Sequence, residues 1–174
     1  MVFAPPRRAR TGRRFLQLFP GLLGCGVGLA LMVEARLGLG PWEVLHQGLS
    51  ERTGIGIGKC GVLVGLVVLL TWIPMRQRPG PGTICNVVLI GLTIDATIEA
   101  LPTPDALASR VALFAAGLAI LAVGSGLYIG AGLGAGPRDG LMTGLAARGH
   151  TIRSVRTVLE VSALALGWIL GGQV

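Results

Sequence analysis

Long apolar runs, separated by short polar or Pro- and Gly-rich segments, dominate the pattern of this chain. A helix needs roughly 20 apolar residues to cross the hydrocarbon core of a bilayer, and five runs approach that length. They extend over residues 20–37, 56–75, 83–101, 109–133 and 153–172. No run alternates as a barrel strand does. The pattern predicts an all-α integral membrane protein with five transmembrane helices, residues 1–174 forming one membrane domain with a basic lead-in at 1–19.

The chain also matches itself when it is shifted by 96 residues. Residues 21–78 and 117–174 share 20 of 58 positions without a gap. Each copy reads span, short helix, span, and the third span (83–101) lies alone between the copies. One intervening span inverts the second copy, so we expect a pseudo-two-fold axis in the membrane plane. Inverted repeats of this kind are characteristic of transporters.

Composition and charge support a membrane protein and indicate its orientation. Hydrophobic residues make up 52% of the chain and charged residues 13%, against about 25% charged in a soluble domain. The net charge is +7, but the cations flank the apolar runs, so we expect the lipid bilayer and not nucleic acid as the partner. Segments on the N-terminal side of the membrane carry 11 cations and the opposite segments carry 4. This predicts a multi-pass membrane protein with the N-terminus cytoplasmic and the C-terminus outside.

The short segments inside the two copies provide the first candidate site. Gly-Pro opens a short helical pattern in each, and an acidic residue occupies the third helical position, where it can cap the helix. A half-helix N-terminus can instead line a ligand site, and carboxylates there favour a cation, a proton or a neutral solute over an anion. The candidate residues are Gly40, Pro41, Trp42, Glu43, Gly136, Pro137, Arg138 and Asp139.

A second candidate lies in the third span, where Asp95 and Glu99 are one helical turn apart. Asp95 is roughly 16 Å along the span, counted from Ile84, and acids at such depth are functional suspects. One interpretation is proton carriage or cation coordination. The other is a protonated or hydrogen-bonded acid that holds helices together.

Other chemistry is not indicated. The three cysteines are far apart, and His46 and His150 are assigned to loops 104 residues apart. We therefore expect no metal, no cofactor and no enzymatic activity. Glycines four residues apart, such as Gly24 and Gly28 or Gly126 and Gly130, predict close helix packing, and a homodimer through glycine-rich faces is compatible with it.

The five runs and the duplicated Gly-x-Gly-Pro-x-acid element, within 37–49 and 133–145, make the chain resemble the YczE/YitT group of small bacterial inner-membrane proteins. The resemblance implies five spans and supplies no catalytic or binding residues. Two functions are compatible with these features. The first is a small-solute or cation transporter or exporter with its substrate between the repeats. The second is a non-transporting membrane partner with a structural, assembly or regulatory role.

Overall fold

The computed structural model describes residues 11–173, and within that range the chain folds into seven α-helices without a strand. In chain order they are α1 (Thr11–Ala35), α2 (Pro41–Thr53), α3 (Ile57–Trp72), α4 (Pro81–Ala100), α5 (Leu107–Ala131), α6 (Pro137–Ala146) and α7 (Ile152–Ile169). The order long, short, long occurs twice, on either side of α4. The prediction of an all-helical protein is confirmed for these residues.

Three helices, α1, α4 and α5, are each long and apolar enough to cross a membrane. Helices α2 and α3 meet this criterion only together, and the chain bends by 112° between them. By length and composition the described residues therefore contain three candidate spans, or four if the bent pair is one span. Helix α3 has 16 residues, and α7 has 18 but carries Arg153, Arg156 and Glu160.

The two short helices begin where the Gly-Pro pairs predict. Gly40 and Gly136 are the N-cap residues with extended backbones, and Pro41 and Pro137 follow as the first helical residues. Proline suits this position because its φ is already helical and its missing N–H has no partner there in any case. Helix α2 ends at Gly54, whose φ of +72° continues the chain in the left-handed region.

Helices α1 and α5 form a closely packed antiparallel pair. Gly21 faces Gly124, and Gly28 faces Gly117, so early residues of one helix meet late residues of the other. A Cβ on Gly28 would come within 2.7 Å of the Gly117 carbonyl oxygen, which shows how closely the two backbones approach. The expectation of close packing does not extend to Gly126, which has open space around it within this chain.

Helix α4 connects this pair to the remaining helices. Helix α4 contacts α1 and α3, while the short helices cross between the two copies: α2 packs on α7 and α6 packs on α3. Many outward side chains are large and apolar, including Leu70, Val123, Ile129 and Ile169, which are each more than 60% exposed. Such a surface is unfavourable in water and favourable in lipid.

Candidate functional site

A cavity of about 280 Å³ lies where the two copies meet. Apolar side chains from α1, α3, α4 and α5 form much of its wall. The charged groups, with one tryptophan and one histidine, come from the starts of the two short helices. They are Trp42, Glu43 and His46 from α2, and Arg138 and Asp139 from α6. The duplicated Gly-Pro elements are thus brought together from positions about 96 residues apart in the sequence.

Arg138 connects the two short helices. Its Nη1 donates to Glu43 Oε1 at 3.1 Å, and its guanidinium carbon lies 4.7 Å from the centroid of the Trp42 ring. Its Nη2 lies 3.4 Å from Nε2 of His46. Because arginine offers only donors, a hydrogen bond here requires an unprotonated Nε2. One guanidinium therefore has a carboxylate, an indole face and an imidazole nitrogen as neighbours.

The two carboxylates both lie over the helix starts from which they project. Oε2 of Glu43 is 2.5 Å from the position that a Cβ on Gly40 would occupy. An oxygen of Asp139 lies 3.2 Å from the equivalent point on Gly136. Each glycine leaves room for a carboxylate that folds back towards the first N–H groups. Both carboxylates also line the cavity.

Neutral polar groups also line the cavity. The Sγ of Cys25 and the Oγ of Ser125 are 3.6 Å apart, and the Tyr128 hydroxyl donates to the Gly134 carbonyl at 3.0 Å. Asn86 also lines the cavity. Such groups can orient a polar ligand without contributing charge.

A second cavity, of about 190 Å³, adjoins the first. Trp42, Arg138 and Asp139 line both cavities. The ion pair between Arg156 and Glu160, at 2.8 Å, closes its other side. The stacked pair of Trp42 and Arg138 therefore lies between two spaces.

Asp95 and Glu99 have different surroundings. Neither acid is among the described residues that line the two cavities. Asp95 accepts hydrogen bonds from the backbone N–H groups of Gly58, at 2.7 Å, and Lys59, at 3.0 Å, at the start of α3. Glu99 is exposed near the end of α4. The structure thus brings Glu43, Asp139 and Arg138 together and leaves the acids of α4 apart from them.

The assignment of His46 to a loop is wrong. This residue lies in α2, one turn after Trp42, with 5% of its surface exposed. The signal was its i, i+4 spacing from Trp42 on the Gly-Pro helix. Ser125 and Tyr128 gave no such signal, because nothing local distinguishes them from other small or aromatic residues of a span.

The long apolar helices and the exposed apolar surface place this chain in the class of integral membrane proteins. Residues 12–173 match the family of unknown function DUF6198, and the chain belongs to that family. This agrees with the resemblance to the YczE group that the sequence indicates, which is confirmed.

Three relatives support the same assignment. An uncharacterized protein of Haemophilus influenzae is 42% identical over 150 residues, covering 86% of this chain and 69% of the relative. The uncharacterized membrane protein YczE of Bacillus subtilis is 34% identical over 164 residues, covering 92% and 76%. The uncharacterized protein YyaS of the same organism is 26% identical over 161 residues, covering 88% and 79%. No solved structure matches the chain.

Proposed function

We propose that this protein is a transporter or exporter of a small solute or cation in the bacterial inner membrane, with its substrate between two inverted repeats. The observation that carries the proposal is the cavity of about 280 Å³ between the two copies. Charged groups meet there from equivalent positions of both copies. Substrate sites of repeat transporters are typically built at the repeat interface from helix ends of this kind.

Contacts between equivalent residues support the inverted relation. Residues that a two-fold axis exchanges can touch each other only close to that axis. Trp42 and Arg138 are equivalent in the 96-residue shift and stack on each other. Gly24 and Ile120 are also equivalent, and a Cβ on Gly24 would lie 3.8 Å from the Ile120 carbonyl oxygen. Both pairs are expected if the axis passes through the α1–α5 crossing and the cavity.

The helix contacts follow the same exchange. The shift converts the contact of α2 with α7 into the contact of α6 with α3, and both occur. The equivalent first helices of the copies, α1 and α5, are antiparallel, as an axis in the membrane plane requires. The duplication also makes α3 and α7 equivalent. We therefore include both as spans, which gives five crossings with the N-terminus cytoplasmic.

The alternative, a non-transporting membrane partner, would use glycine-rich faces for docking. Gly21, Gly28, Gly117 and Gly124 are instead used at the crossing of α1 with α5 inside the chain. The cavity also favours transport, since a purely structural partner needs no polar space between its halves.

Alternating access to the cavity tests transport without knowledge of the substrate. Ser125 lines the cavity, so a Ser125→Cys variant in which the three native cysteines are alanine would carry a thiol there. It would be treated with a membrane-impermeant thiol reagent in right-side-out and in inverted vesicles. A transporter exposes its site to each side in turn, so we expect labelling in both preparations over time.

A Ser109→Cys variant in the same background is the control. Ser109 is exposed at the start of α5 and should be labelled from one side only. Labelling of Ser125→Cys from one side only, or from neither, would contradict transport and favour the partner role.

A further inference from the structure

The three groups around the Arg138 guanidinium all belong to one short helix. Trp42, Glu43 and His46 lie within a turn of α2, which begins at Pro41. The cation itself comes from α6, in the other copy. One half of the protein therefore presents a set of groups suited to a cation, and the other half supplies the cation that now occupies it.

This set has the chemistry of an organic-cation receptor. A carboxylate provides charge-assisted hydrogen bonds to a guanidinium, and an indole face attracts a cation through its quadrupole. The unprotonated imidazole nitrogen adds a third acceptor or contact. A planar guanidinium uses hydrogen bonding and stacking together, which a compact ammonium does less well.

Exposure indicates which partner can leave. The Arg138 side chain is 38% exposed, whereas the Glu43 side chain is 15% exposed. The long arginine side chain can turn towards the adjoining cavity, which Arg138 also lines. The carboxylate of Glu43 lies beside Gly40 at the start of its own helix, and its lower exposure makes Arg138 the partner that is freer to leave.

Charge favours a cation as the replacement. Within residues 11–173, the formally charged groups that line the larger cavity are Glu43, Asp139 and Arg138. If Arg138 withdrew without a replacement, two carboxylates would face the same space without a countercharge, which is costly in a low-dielectric site. A ligand cation removes that cost.

We propose that Trp42, Glu43 and His46 form a binding site for a small organic cation of the guanidinium class, and that Arg138 is a built-in occupant which this ligand displaces. The inference rests on the proposed transport function, for which it names the substrate class. Displacement of Arg138 also breaks its stacking on Trp42, and so it joins the two cavities that this pair separates.

Calorimetric titration of the purified full-length protein in detergent with millimolar ethylguanidinium tests this assignment. Arg138→Ala removes the competing occupant, so it should bind ethylguanidinium at least tenfold more tightly than the unaltered protein. Arg148→Ala is the matched control, because Arg148 donates to the Pro74 carbonyl away from the cavity. This control should leave the affinity unchanged.

A second pair of variants tests the receptor groups. Adding Glu43→Gln or Trp42→Leu to Arg138→Ala should weaken binding at least tenfold. Equal binding by Arg138→Ala and the unaltered protein, or no loss on adding Glu43→Gln, would overturn the assignment. If Arg138→Ala does not fold, Arg138→Gln replaces it, and loss of binding by Glu43→Gln alone gives the same decision.

The two proposals fail separately. Binding without alternating labelling of Ser125→Cys would retain the cation site and reject transport. Alternating labelling without ethylguanidinium binding would retain transport and reject this substrate class.

Discussion

At the scale of single residues, Asp95 has two defined hydrogen-bond partners at the start of α3. The first N–H groups of an α-helix have no partner within the helix, and the N-cap of α3 is Gly56, which has no side chain to offer. The Asp95 carboxylate supplies two of the missing acceptors from α4, to Gly58 and Lys59. These contacts favour the structural interpretation of this acid over a role in proton or cation coupling.

Replacing Asp95 should therefore affect stability more than ligand binding. Asp95→Leu removes both acceptors, and loss of a helix cap typically costs roughly 1–2 kcal/mol. Asp95→Asn keeps one carbonyl acceptor and should cost less. Thermal unfolding in detergent measures this order, with Glu99→Gln as the exposed control. An Asp95→Asn protein that unfolds normally but has lost transport would instead support the coupling role.

Two equivalent tryptophans differ in burial, which the sequence alone does not predict. Trp72 and Trp168 occupy equivalent positions in the repeat, yet their surroundings differ. Trp72 is 4% exposed, packs against Gly140 and donates through Nε1 to the Pro137 carbonyl at 3.2 Å. Trp168 is 72% exposed. Local sequence cannot separate them, because the difference comes from what each helix meets in the folded chain.

At the scale of helices, the crossing of α1 and α5 depends on the absence of side chains. A Cβ on Gly28 would meet backbone atoms of α5 at 2.7 Å, a distance that neither a rotamer change nor a side-chain shift can relieve. A substitution there must move the helices apart. This crossing also positions Ser125 and Cys25 on the cavity wall, so its geometry affects the site.

Gly28→Ala should accordingly destabilise the protein by about 1–3 kcal/mol, the usual range for overpacking. Gly126→Ala is the matched control in the partner helix, since Gly126 has no neighbour within 4 Å of an added Cβ. That change should be neutral or stabilise the protein by up to about 1 kcal/mol, because alanine favours a helix more than glycine does. Unfolding midpoints of the two variants decide the matter, and equal destabilisation would show that the crossing is looser than described.

The helix boundaries could be predicted from the sequence, because the residues that start and end a helix lie within a few positions of its ends. Proline after glycine predicted the starts of α2 and α6, and the apolar runs predicted the long helices to within a few residues, apart from the earlier start of α1. Which helices pack against each other could not be predicted in the same way. The contact of α2 with α7, and of α3 with α6, depends on the arrangement of two copies, which an ungapped repeat suggests but does not specify.

At the scale of the whole molecule, α3 and α7 determine how often the chain crosses the membrane. With 16 and 18 residues, they are roughly 24 and 27 Å long, slightly short of a hydrocarbon core of about 30 Å. Short spans are accommodated by local thinning of the bilayer and by long polar side chains that reach the interface. The exposed side chains of α7 in its second half, including Val161, Leu166 and Ile169, are apolar apart from Ser162 and suit lipid.

The side of the membrane on which the chain ends distinguishes five crossings from four. With the N-terminus cytoplasmic, as the distribution of 11 cations against 4 favours, an α7 that spans places the C-terminus outside. An α7 that lies along the surface leaves it in the cytoplasm. A periplasm-active reporter fused after residue 174 should therefore give signal, and a cytoplasm-active reporter should not.

The same reporters fused after residue 78, between α3 and α4, should give the reverse result and serve as the control. Cytoplasmic signal from both fusion points would exclude a spanning α7. The equivalence of α3 and α7 in the membrane, and the inverted repeat that depends on it, would then have to be abandoned.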